Sequence, residues 1–381
     1  MKNTKIVNQG VTFDDVLLLP DYSDFKRLEI SLEARLTKKI KLKIPFVSSP
    51  MDTVTEHKLA IALAELGGIG LVHRNLAISE QAEEVKKVLQ KKLLVGAAVG
   101  ASHGFEERVK ALAKVETPIL VVDSAHGYSK GVIEATKFIK KNYPKVQVIA
   151  GNVATYEGAL ALIKAGADGI RVGMGPGAIC TTRIISGMGV PQITALLETS
   201  RAAKKNGIPI IADGGIKYSG DMVKALAAGA STVMMGSFFA SAEESPGYII
   251  ELSAERVPAR FKNILKTEHK KYKFKMYRGM GSIGAMKKGA AIKSEDEYHG
   301  KNYKDRVLVA EGVEGYVPIK GTVKSLIDQA LGGIKSGMYY VGAKTIEELE
   351  KKGKFIQITQ ASLTESHPHS ILVSNPGENY L

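Results

Sequence analysis

Cysteine is almost absent from this sequence. The 381 residues include no tryptophan and only one cysteine, Cys180. With a single cysteine, no disulfide can form within the chain. A lone free thiol is typical of a reducing compartment, which predicts a cytoplasmic protein. Long apolar runs are also missing, because no stretch approaches the roughly 18 residues that a membrane helix needs. Residues 1–14 lack the basic-then-apolar layout of a signal peptide. These absences exclude a disulfide scaffold and predict a protein without a membrane span.

Acidic residues are outnumbered, and the formal net charge is +14. An excess of this size can indicate nucleic-acid binding. The lysines are, however, interleaved with glutamates, as in residues 83–87 (EEVKK), a pattern typical of solvated helix faces. The sequence shows neither a zinc-ligand cluster nor a helix-turn-helix signature. We therefore expect no nucleic-acid partner and a basic field that attracts small anionic ligands.

Glycine is plentiful, with 39 residues, and the chain follows a repeated pattern. Short apolar runs alternate with stretches of helical periodicity such as Glu56–Leu66 and Tyr156–Ala165. The predicted strands are Ile44–Ser48, Ile69–His73, Leu94–Val99, Ile119–Asp123, Val146–Gly151, Gly169–Val172, Ile208–Ala212 and Thr232–Met235. Strands that are apolar throughout indicate a parallel sheet covered on both faces. Eight such repeats predict an α/β fold of the (β/α)8 TIM-barrel type, with a doubly wound open sheet as the alternative.

The repeat breaks down after the eighth predicted strand. Residues 243–316 are rich in Lys, Gly and Glu, with only weak periodicity over Glu251–Leu265, and the helical pattern resumes at Val323–Leu331. A long insertion beside the catalytic face of a barrel is usually a lid or flap. We therefore expect a single catalytic domain over residues 1–381, with residues 249–316 as an insertion and flap within it.

The loop after the sixth predicted strand, Gly173–Thr182, carries the strongest chemical signal. Active sites of barrels lie at the carboxyl ends of the strands. The glycines of this loop let the backbone approach a ligand or turn its carbonyls toward an ion. Cys180 stands there among Gly, Thr and Arg residues, a polar setting that favours a nucleophile. The alternative is that Cys180 is a small buried hydrophobic residue.

The seventh and eighth predicted strands are followed by Asp213-Gly214-Gly215 and Gly236-Ser237. Barrels commonly bind phosphate at this position, through backbone N–H groups and a helix N-terminus. Asp213 is poorly suited to phosphate but well suited to accept hydrogen bonds from ribose hydroxyls. The alternative is that Asp213 caps the following helix. The pattern favours a small phosphorylated ligand.

Together these motifs resemble the family of IMP dehydrogenase and GMP reductase. The resemblance runs from Val11–Val16 to the histidine-containing tail, and its most specific segment is Gly173–Thr182. Tyr277–Ser282 and Glu311–Gly315 resemble the dehydrogenase branch in particular. The resemblance implies oxidation of IMP to XMP with NAD through a covalent bond to Cys180. It also implies K+ as a cofactor and a homotetrameric assembly.

The resemblance further implies roles for individual residues. Cys180 is expected to attack C2 of the hypoxanthine ring, with Thr182 and Glu311 available to relay a proton from water. Residues expected to bind the nucleotide are Ser49, Asp213, Gly215, Gly236, Ser237, Tyr277, Gly279, Met280, Gly281 and Glu311. Residues expected on the dinucleotide side are Asp123, Ser124, Asn152 and Gly173. The expected potassium ligands are the carbonyls of Gly175, Gly177 and Cys180, with Glu365, Ser366 and His367 donated by a neighbouring subunit.

The sequence departs from the family pattern at several positions, one of them within the Cys180 loop. Residues 91–93 lead directly into the third strand, where the dehydrogenases usually carry a regulatory pair of cystathionine-β-synthase-type modules. Ala178 stands where a phosphate-binding serine is expected, which should weaken phosphate binding. Residues 249–271 are longer than the usual connection in the family.

A further departure concerns the flap, residues 289–305. The dehydrogenases carry there an Arg-Tyr pair whose arginine activates water, and this chain has Glu297-Tyr298 instead. Arg306 and Lys293 are candidate substitutes, beside the pair Thr182 and Glu311.

Three functions remain open at this point. IMP dehydrogenase is the leading one, because of the dehydrogenase-type segments. A GMP reductase, which converts GMP and NADPH to IMP, ammonia and NADP, is favoured by the missing Arg-Tyr pair and module. A non-catalytic nucleotide or nucleic-acid binder on the same fold is the third, and the presence of Cys180, Thr182 and Asp213 argues against it.

Overall fold

The computed structural model describes residues 5–264, 271–292 and 309–371, together with Val373 and Gly377. Its strands are β1 Val16–Leu18, β2 Ala34–Arg35, β3 Lys41–Leu42, β4 Phe46–Ser48, β5 Ile69–Val72, β6 Val95–Val99, β7 Ile119–Asp123, β8 Gln147–Val153, β9 Gly169–Val172, β10 Ile210–Asp213, β11 Thr232–Met235, β12 Ile249–Ser253, β13 Lys271–Arg278, β14 Glu314–Pro318 and β15 Phe355–Gln357. Its helices are α1 His57–Glu65, α2 Ile78–Leu89, α3 Phe105–Lys114, α4 Lys130–Asn142, α5 Tyr156–Lys164, α6 Thr182–Ile185, α7 Gln192–Lys205, α8 Ser219–Ala227, α9 Ser237–Ala240, α10 Ile283–Ala291, α11 Val323–Val341, α12 Ile346–Lys352 and α13 Gln360–Glu365. Short 3-10 helices are Phe13–Asp15, Arg27–Glu29, Ala254–Arg256 and Ala259–Ile264.

Strands β4 to β11 form a closed barrel in which each strand pairs with its neighbours in parallel and β11 closes against β4. The predicted (β/α)8 TIM barrel is therefore confirmed, and the open sheet is wrong. All eight predicted strands are present, with ends shifted by up to two residues, as in β10, which begins at Ile210. In the part of the chain that the structure describes, none of the helices combines the length and apolarity needed to cross a bilayer.

Alternation along the strands divides the core into two layers. In β7, Ile119 and Val121 point into the barrel, whereas Leu120 and Val122 pack against the helices outside. Successive side chains of a strand point to opposite faces, so a strand buried on both faces is apolar at every position. At the amino ends of the strands, Leu36 joins the cluster inside the barrel and closes that end. Polar residues lie instead at the carboxyl ends of the barrel strands.

The spacing of apolar residues explains which face of a helix is buried, and capping residues explain where a helix begins. Helix α2 buries Gln81, Val85 and Val88, which are four and three residues apart and so share one face. Helix α5 begins after Thr155, whose hydroxyl accepts a hydrogen bond from the Gly158 N–H. These helices cover the outside of the barrel and fix the loops at its carboxyl end.

The insertion contains a three-stranded antiparallel sheet in the order β12–β13–β14, which the sequence pattern did not reveal. The weak periodicity over residues 251–265 does not correspond to an α-helix, because the chain there finishes β12 and continues through 3-10 helices as far as Ile264. Pairing of β12 with β13, and of β13 with β14, produces this sheet, and pairing between distant segments is not visible in a local sequence window. Of the predicted flap, residues 289–292 lie in and after α10, whereas Lys293, Glu297, Tyr298 and Arg306 lie outside the described residues.

Candidate active site

The loop that carries Cys180 is attached to the segment before β14. The Thr181 N–H donates to the Glu311 carbonyl at 3.0 Å, and the Val313 N–H donates to the Ile179 carbonyl at 2.9 Å. These bonds flank an antiparallel bridge between Cys180 and Gly312. The sequence placed Cys180 at the end of a barrel strand, but β9 ends at Val172 and the thiol lies eight residues further on. It is the pairing with the insertion that fixes its position.

A line of three side chains runs from the thiol toward the insertion. The Cys180 Sγ lies 3.3 Å from the Thr182 Oγ1, and the Thr182 hydroxyl donates to the Glu311 Oε2 at 2.9 Å. Cys180 is half-buried. A hydroxyl between a thiol and a carboxylate can pass a proton along the line. The structure thus brings together the three residues that the sequence named as catalytic.

The segment Gly279–Gly281 forms the third side of this site. The Gly279 N–H donates to the Val313 carbonyl at 3.0 Å, and the Glu311 N–H donates to the Gly281 carbonyl at 3.1 Å. A Cβ at Gly279 would stand 3.3 Å from the Ile179 carbonyl oxygen, so the close approach of these two segments favours glycine. The backbone on both sides of Met280 is thereby held beside the Cys180 loop, and a role for Met280 at the edge of a purine stays a prediction.

Asp213, at the end of β10, is held by two donors on one of its oxygens. Its Oδ2 accepts from the Asn152 Nδ2 at 2.8 Å and from the Arg171 Nε at 2.9 Å. Within the described residues, its Oδ1 accepts no hydrogen bond, which leaves an oriented acceptor for a ligand hydroxyl. The capping alternative for Asp213 is wrong, because the N–H groups of Lys217 and Tyr218 before helix α8 donate to Asp221 instead.

Arg171 is a site residue that the sequence reasoning missed. It lies inside the barrel on β9 and binds Asp213 and Asp123 at once. Burial would lower the pKa of Arg171, but the negative charges of Asp213 and Asp123 raise it above its usual value. A charged residue inside an apolar strand needs buried partners, and this was the signal available in the sequence. Arg171 therefore joins Asp213, expected to bind a ribose, to Asp123, expected on the dinucleotide side.

A cavity of about 450 Å³ opens beside Asp213, at the ends of β10 and β11. Its lining residues are Thr12, Phe13, Asp14, Pro176, Gly177, Ala178, Arg183, Gln192, Gly214, Gly215, Ile216, Lys217, Met234, Met235, Gly236, Ser237 and Tyr277. Gly215 has a φ of +78°, a conformation that favours glycine. Ser49, in contrast, is absent from the lining and is buried, with its N–H donating to the Met235 carbonyl at 3.2 Å. The cavity contains most, though not all, of the residues expected around a phosphate.

Tyr277 closes one side of this cavity with its hydroxyl. Burial raises the pKa of Tyr277 far above its usual range, and the charge of Asp213 raises it further, although a backbone hydrogen bond from Ser237 opposes both. The phenol is therefore neutral and able to donate a hydrogen bond at any physiological pH. A neutral donor at this place suits the oxygen of an anionic ligand.

The residues expected on the dinucleotide side lie at the ends of β7, β8 and β9. Asp123 is paired with Arg171, and the Asn152 N–H donates to the Ser124 carbonyl at 2.8 Å. The Asn152 Oδ1 is buried and, among the described residues, has no hydrogen-bond partner. Gly173 has a φ of +151°, and a Cβ there would stand 2.2 Å from the Asp213 carbonyl oxygen. The structure thus brings all four expected residues to one edge, with an unpaired acceptor among them.

Gly236→Ala is expected to obstruct the cavity. The added Cβ would lie 2.5 Å from the Tyr277 Oη and 3.1 Å from the Met51 Sδ, so the buried tyrosine must move. We expect KM for the nucleotide to rise by about tenfold or more. The backbone adds no strain, since Gly236 has helical angles that alanine accepts, so any loss of stability comes from the displaced tyrosine. Gly220→Ala in α8 is the matched control, because a Cβ there meets no atom within 4 Å. Equal KM values in the two variants would contradict this reading.

The expected potassium ligands fall in two places. Gly175 has a φ of +78°, and in the described part of the chain the carbonyls of Gly175 and Cys180 accept no backbone hydrogen bond, whereas the Gly177 carbonyl accepts from the Cys180 N–H at 3.0 Å. Helix α13 ends at Glu365, and the ring of His367 lies 6.2 Å from that of Tyr218. Donation of the tail to a neighbouring subunit stays a prediction.

The sequence of this chain is similar to those of known proteins. A family model described as "IMP dehydrogenase / GMP reductase domain" matches residues 10–369. The inosine-5'-monophosphate dehydrogenase of Cryptosporidium parvum is 44% identical over 420 residues, which cover 99% of this chain and 99% of the relative. That of Borreliella burgdorferi is 43% identical over 417 residues, covering 96% of this chain and 98% of the relative. That of Aquifex aeolicus is 38% identical over 504 residues, which cover 99% of this chain and 98% of the relative.

The lengths of these alignments bear on the missing regulatory module. The alignment with the Aquifex protein runs over 504 positions, whereas this chain has 381 residues, so that relative carries well over a hundred residues without a counterpart here. The Cryptosporidium alignment needs only 420 positions. The short form of the chain is therefore shared by some relatives. With its closed barrel, its Cys180 loop and the cavity at the ends of β10 and β11, the chain belongs to the IMP dehydrogenase / GMP reductase family.

Proposed function

We propose that this protein oxidises IMP to XMP with NAD as hydride acceptor. The observation that carries the proposal is the line Cys180–Thr182–Glu311, near a cavity lined by the Gly236-Ser237 turn and by Gly214, the residue directly after Asp213. The thiol supplies a nucleophile, the aspartate an acceptor for ribose hydroxyls, and the turn N–H groups for a phosphate. A purine nucleotide placed across these groups would bring its ring to Cys180.

The first half-reaction depends on the thiol. The Cys180 thiolate adds to C2 of the purine, and the bond between C2 and its hydrogen then breaks with loss of hydride, which leaves a covalent thioimidate. Bound NAD supplies the acceptor for that hydride. Asp123, Ser124, Asn152 and Gly173 are the residues that would hold it, and the unpaired Asn152 Oδ1 fits a ligand that donates a hydrogen bond.

The second half-reaction is hydrolysis. Water adds to C2 of the thioimidate, the bond to the Sγ breaks, and XMP leaves with the oxygen of the water. A base must take the proton of that water. Thr182 and Glu311 are in hydrogen-bond contact and lie next to the Sγ, so we assign this task to them.

The experiment that tests the function is absorbance at 340 nm in two mixtures. We expect NADH to form with IMP and NAD, and no consumption of NADPH with GMP. Consumption of NADPH with release of ammonia would replace the proposal by GMP reduction. Failure of both, with binding of single-stranded nucleic acid that weakens steeply with salt, would favour the non-catalytic alternative.

We further propose that a potassium ion binds the loop Gly175–Cys180. The free carbonyls of Gly175 and Cys180 fit a monovalent cation, which prefers neutral oxygen ligands. In the described residues there is no cluster of His, Cys, Asp and Glu of the kind that holds divalent metals, so the donor set on offer is carbonyl oxygen. Such an ion would hold the loop, and with it the thiol, in one conformation.

Activity is therefore expected to depend on the monovalent cation. It should be low in sodium or lithium buffers and restored by potassium, because the smaller ions fit the carbonyls poorly. Deletion of the chain from Thr364 removes Glu365, Ser366 and His367 and should abolish the response. A deletion from Ile371, which keeps those residues, is the matched control. Equal rates in the three salts would contradict the site.

We propose that residues 1–381 act as one catalytic domain, with residues 249–316 as its insertion and flap. A homotetramer follows if Glu365–His367 complete the ion site of a neighbouring subunit. The free thiol of Cys180 must stay reduced to react, which is the reason for placing the reaction in the cytoplasm. Analytical ultracentrifugation of the Thr364 deletion against the full chain tests the assembly, since loss of the tail should shift it to smaller species.

A further inference from the structure

Asp52 and Arg278 join the barrel to the insertion at a point that the reaction itself does not use. Asp52 follows β4, and Arg278 is the last residue of β13. The guanidinium binds both oxygens of the carboxylate, with the Arg278 Nε 3.0 Å from the Asp52 Oδ1 and its NH2 group on the Oδ2. This fork-to-fork contact is the strongest and most directional form of ion pair.

The surroundings of the pair are buried and well satisfied. The Asp52 side chain is 0% exposed and that of Arg278 is 14% exposed. The Asn75 Nδ2 donates to the Asp52 Oδ2 at 2.8 Å and to the Ala285 carbonyl of α10 at 3.2 Å. Burial would raise the pKa of Asp52, but the hydrogen bond and charge of Arg278, with His73 and Asn75, lower it below its usual value. Asp52 is thus charged. It binds Arg278 of β13 directly and is linked through Asn75 to Ala285 of α10.

Arg278 is the sequence neighbour of two residues of the candidate active site, so the ion pair can affect the position of both. Arg278 lies between Tyr277, whose hydroxyl faces the cavity at Gly236, and Gly279, which carries the segment beside the Cys180 loop. The Arg278 N–H is also held, by the Thr53 Oγ1 at 3.2 Å. A shift of the Arg278 backbone must therefore move both the phenol and the segment that ends in Gly281.

We infer that Asp52 and Arg278 are positioning residues that set the Tyr277 hydroxyl and the Gly279–Gly281 segment relative to the barrel, and so determine nucleotide affinity. They touch neither the thiol nor the line to Glu311. The inference rests on the proposed function only for the identity of the nucleotide. Its signature is a change in KM for IMP with little change in kcat, because the groups that are displaced bind the nucleotide and do not react.

The test uses Asp52→Asn, which keeps the shape of the side chain and removes its charge. We expect KM for IMP to rise by about tenfold, with kcat changed much less. The matched control is Asp168→Asn, because Asp168 forms a similarly buried pair with Lys140, at 2.7 Å, at the amino end of β9 on the far side of the barrel. That variant should lower the melting temperature without raising KM.

Two further variants keep the inference falsifiable if Asp52→Asn folds poorly. Arg278→Lys keeps the charge but loses the two-point contact, so KM should rise by less than in Asp52→Asn. In a Tyr277→Phe background, Asp52→Asn should have a reduced effect, since coupled residues are not additive. A folded Asp52→Asn with unchanged KM, an equal rise in Asp168→Asn, or full additivity with Tyr277→Phe would each overturn the inference.

The proposed function and this inference fail in different ways. Absence of NADH formation from IMP in the unaltered protein contradicts the function alone. Calorimetric titration of the same variants with IMP then reads the positioning effect directly as affinity, without turnover.

Discussion

Cys180→Ala is expected to lose NADH formation by a factor of about 10³ or more, because no other group can form the covalent adduct from which hydride leaves. Cys180 is the only cysteine of the chain, and its Sγ is in contact with the Thr182 hydroxyl at 3.3 Å. Alanine removes the nucleophile and leaves the cavity that holds the nucleotide intact. Steady-state rates with IMP and NAD at saturating concentrations measure the effect.

The control for this substitution is nucleotide binding. Calorimetric titration with IMP should give an affinity close to that of the unaltered protein, and the melting temperature should be little changed, since a half-buried thiol adds few contacts. Turnover within about tenfold of the unaltered protein would contradict covalent catalysis by Cys180. If the variant lost both IMP binding and turnover, the residue would instead have a structural role.

Glu311→Gln is expected to slow hydrolysis by about 10²-fold while sparing hydride transfer, because only the second half-reaction needs a base for water. The Glu311 Oε2 accepts the Thr182 hydroxyl at 2.9 Å, and the amide that replaces it is not a base. Rapid mixing of enzyme, IMP and NAD should show a burst of NADH with an amplitude near one per active site. The steady rate that follows should fall in the variant and the burst should not.

Glu314→Gln provides the matched control in the same segment. Its Oε1 accepts the Gly284 N–H at 2.5 Å, a bond that glutamine preserves, and it does not contact Thr182 in the described structure. The slow phase should therefore keep its rate in this variant. Equal loss of burst and steady rate in Glu311→Gln would indicate damage to substrate binding. Thr182→Val should reproduce the loss of the slow phase if the hydroxyl is part of the path.

The sequence by itself determined the barrel and the chemical nature of its open end. Strands such as β7 are apolar at every core position because both of their faces are buried, and that pattern needs no knowledge of the neighbours. Polar residues end or follow these strands, namely Asp123, Asp213 and the Gly236-Ser237 turn, and they lie at one edge because parallel strands share a direction. Motif and topology were sufficient to predict that these residues lie at one edge of the barrel.

Only the tertiary structure decided how the line Cys180–Thr182–Glu311 is assembled and what holds it. Thr182 and Glu311 are 129 residues apart, and they meet because the insertion pairs with the Cys180 loop through backbone bonds that have no local sequence signature. The three-stranded sheet of the insertion, the Arg171 bridge and the pair of Asp52 with Arg278 have the same origin. Each is a contact between distant segments, whose free energy depends on burial and partner geometry that a linear pattern does not contain.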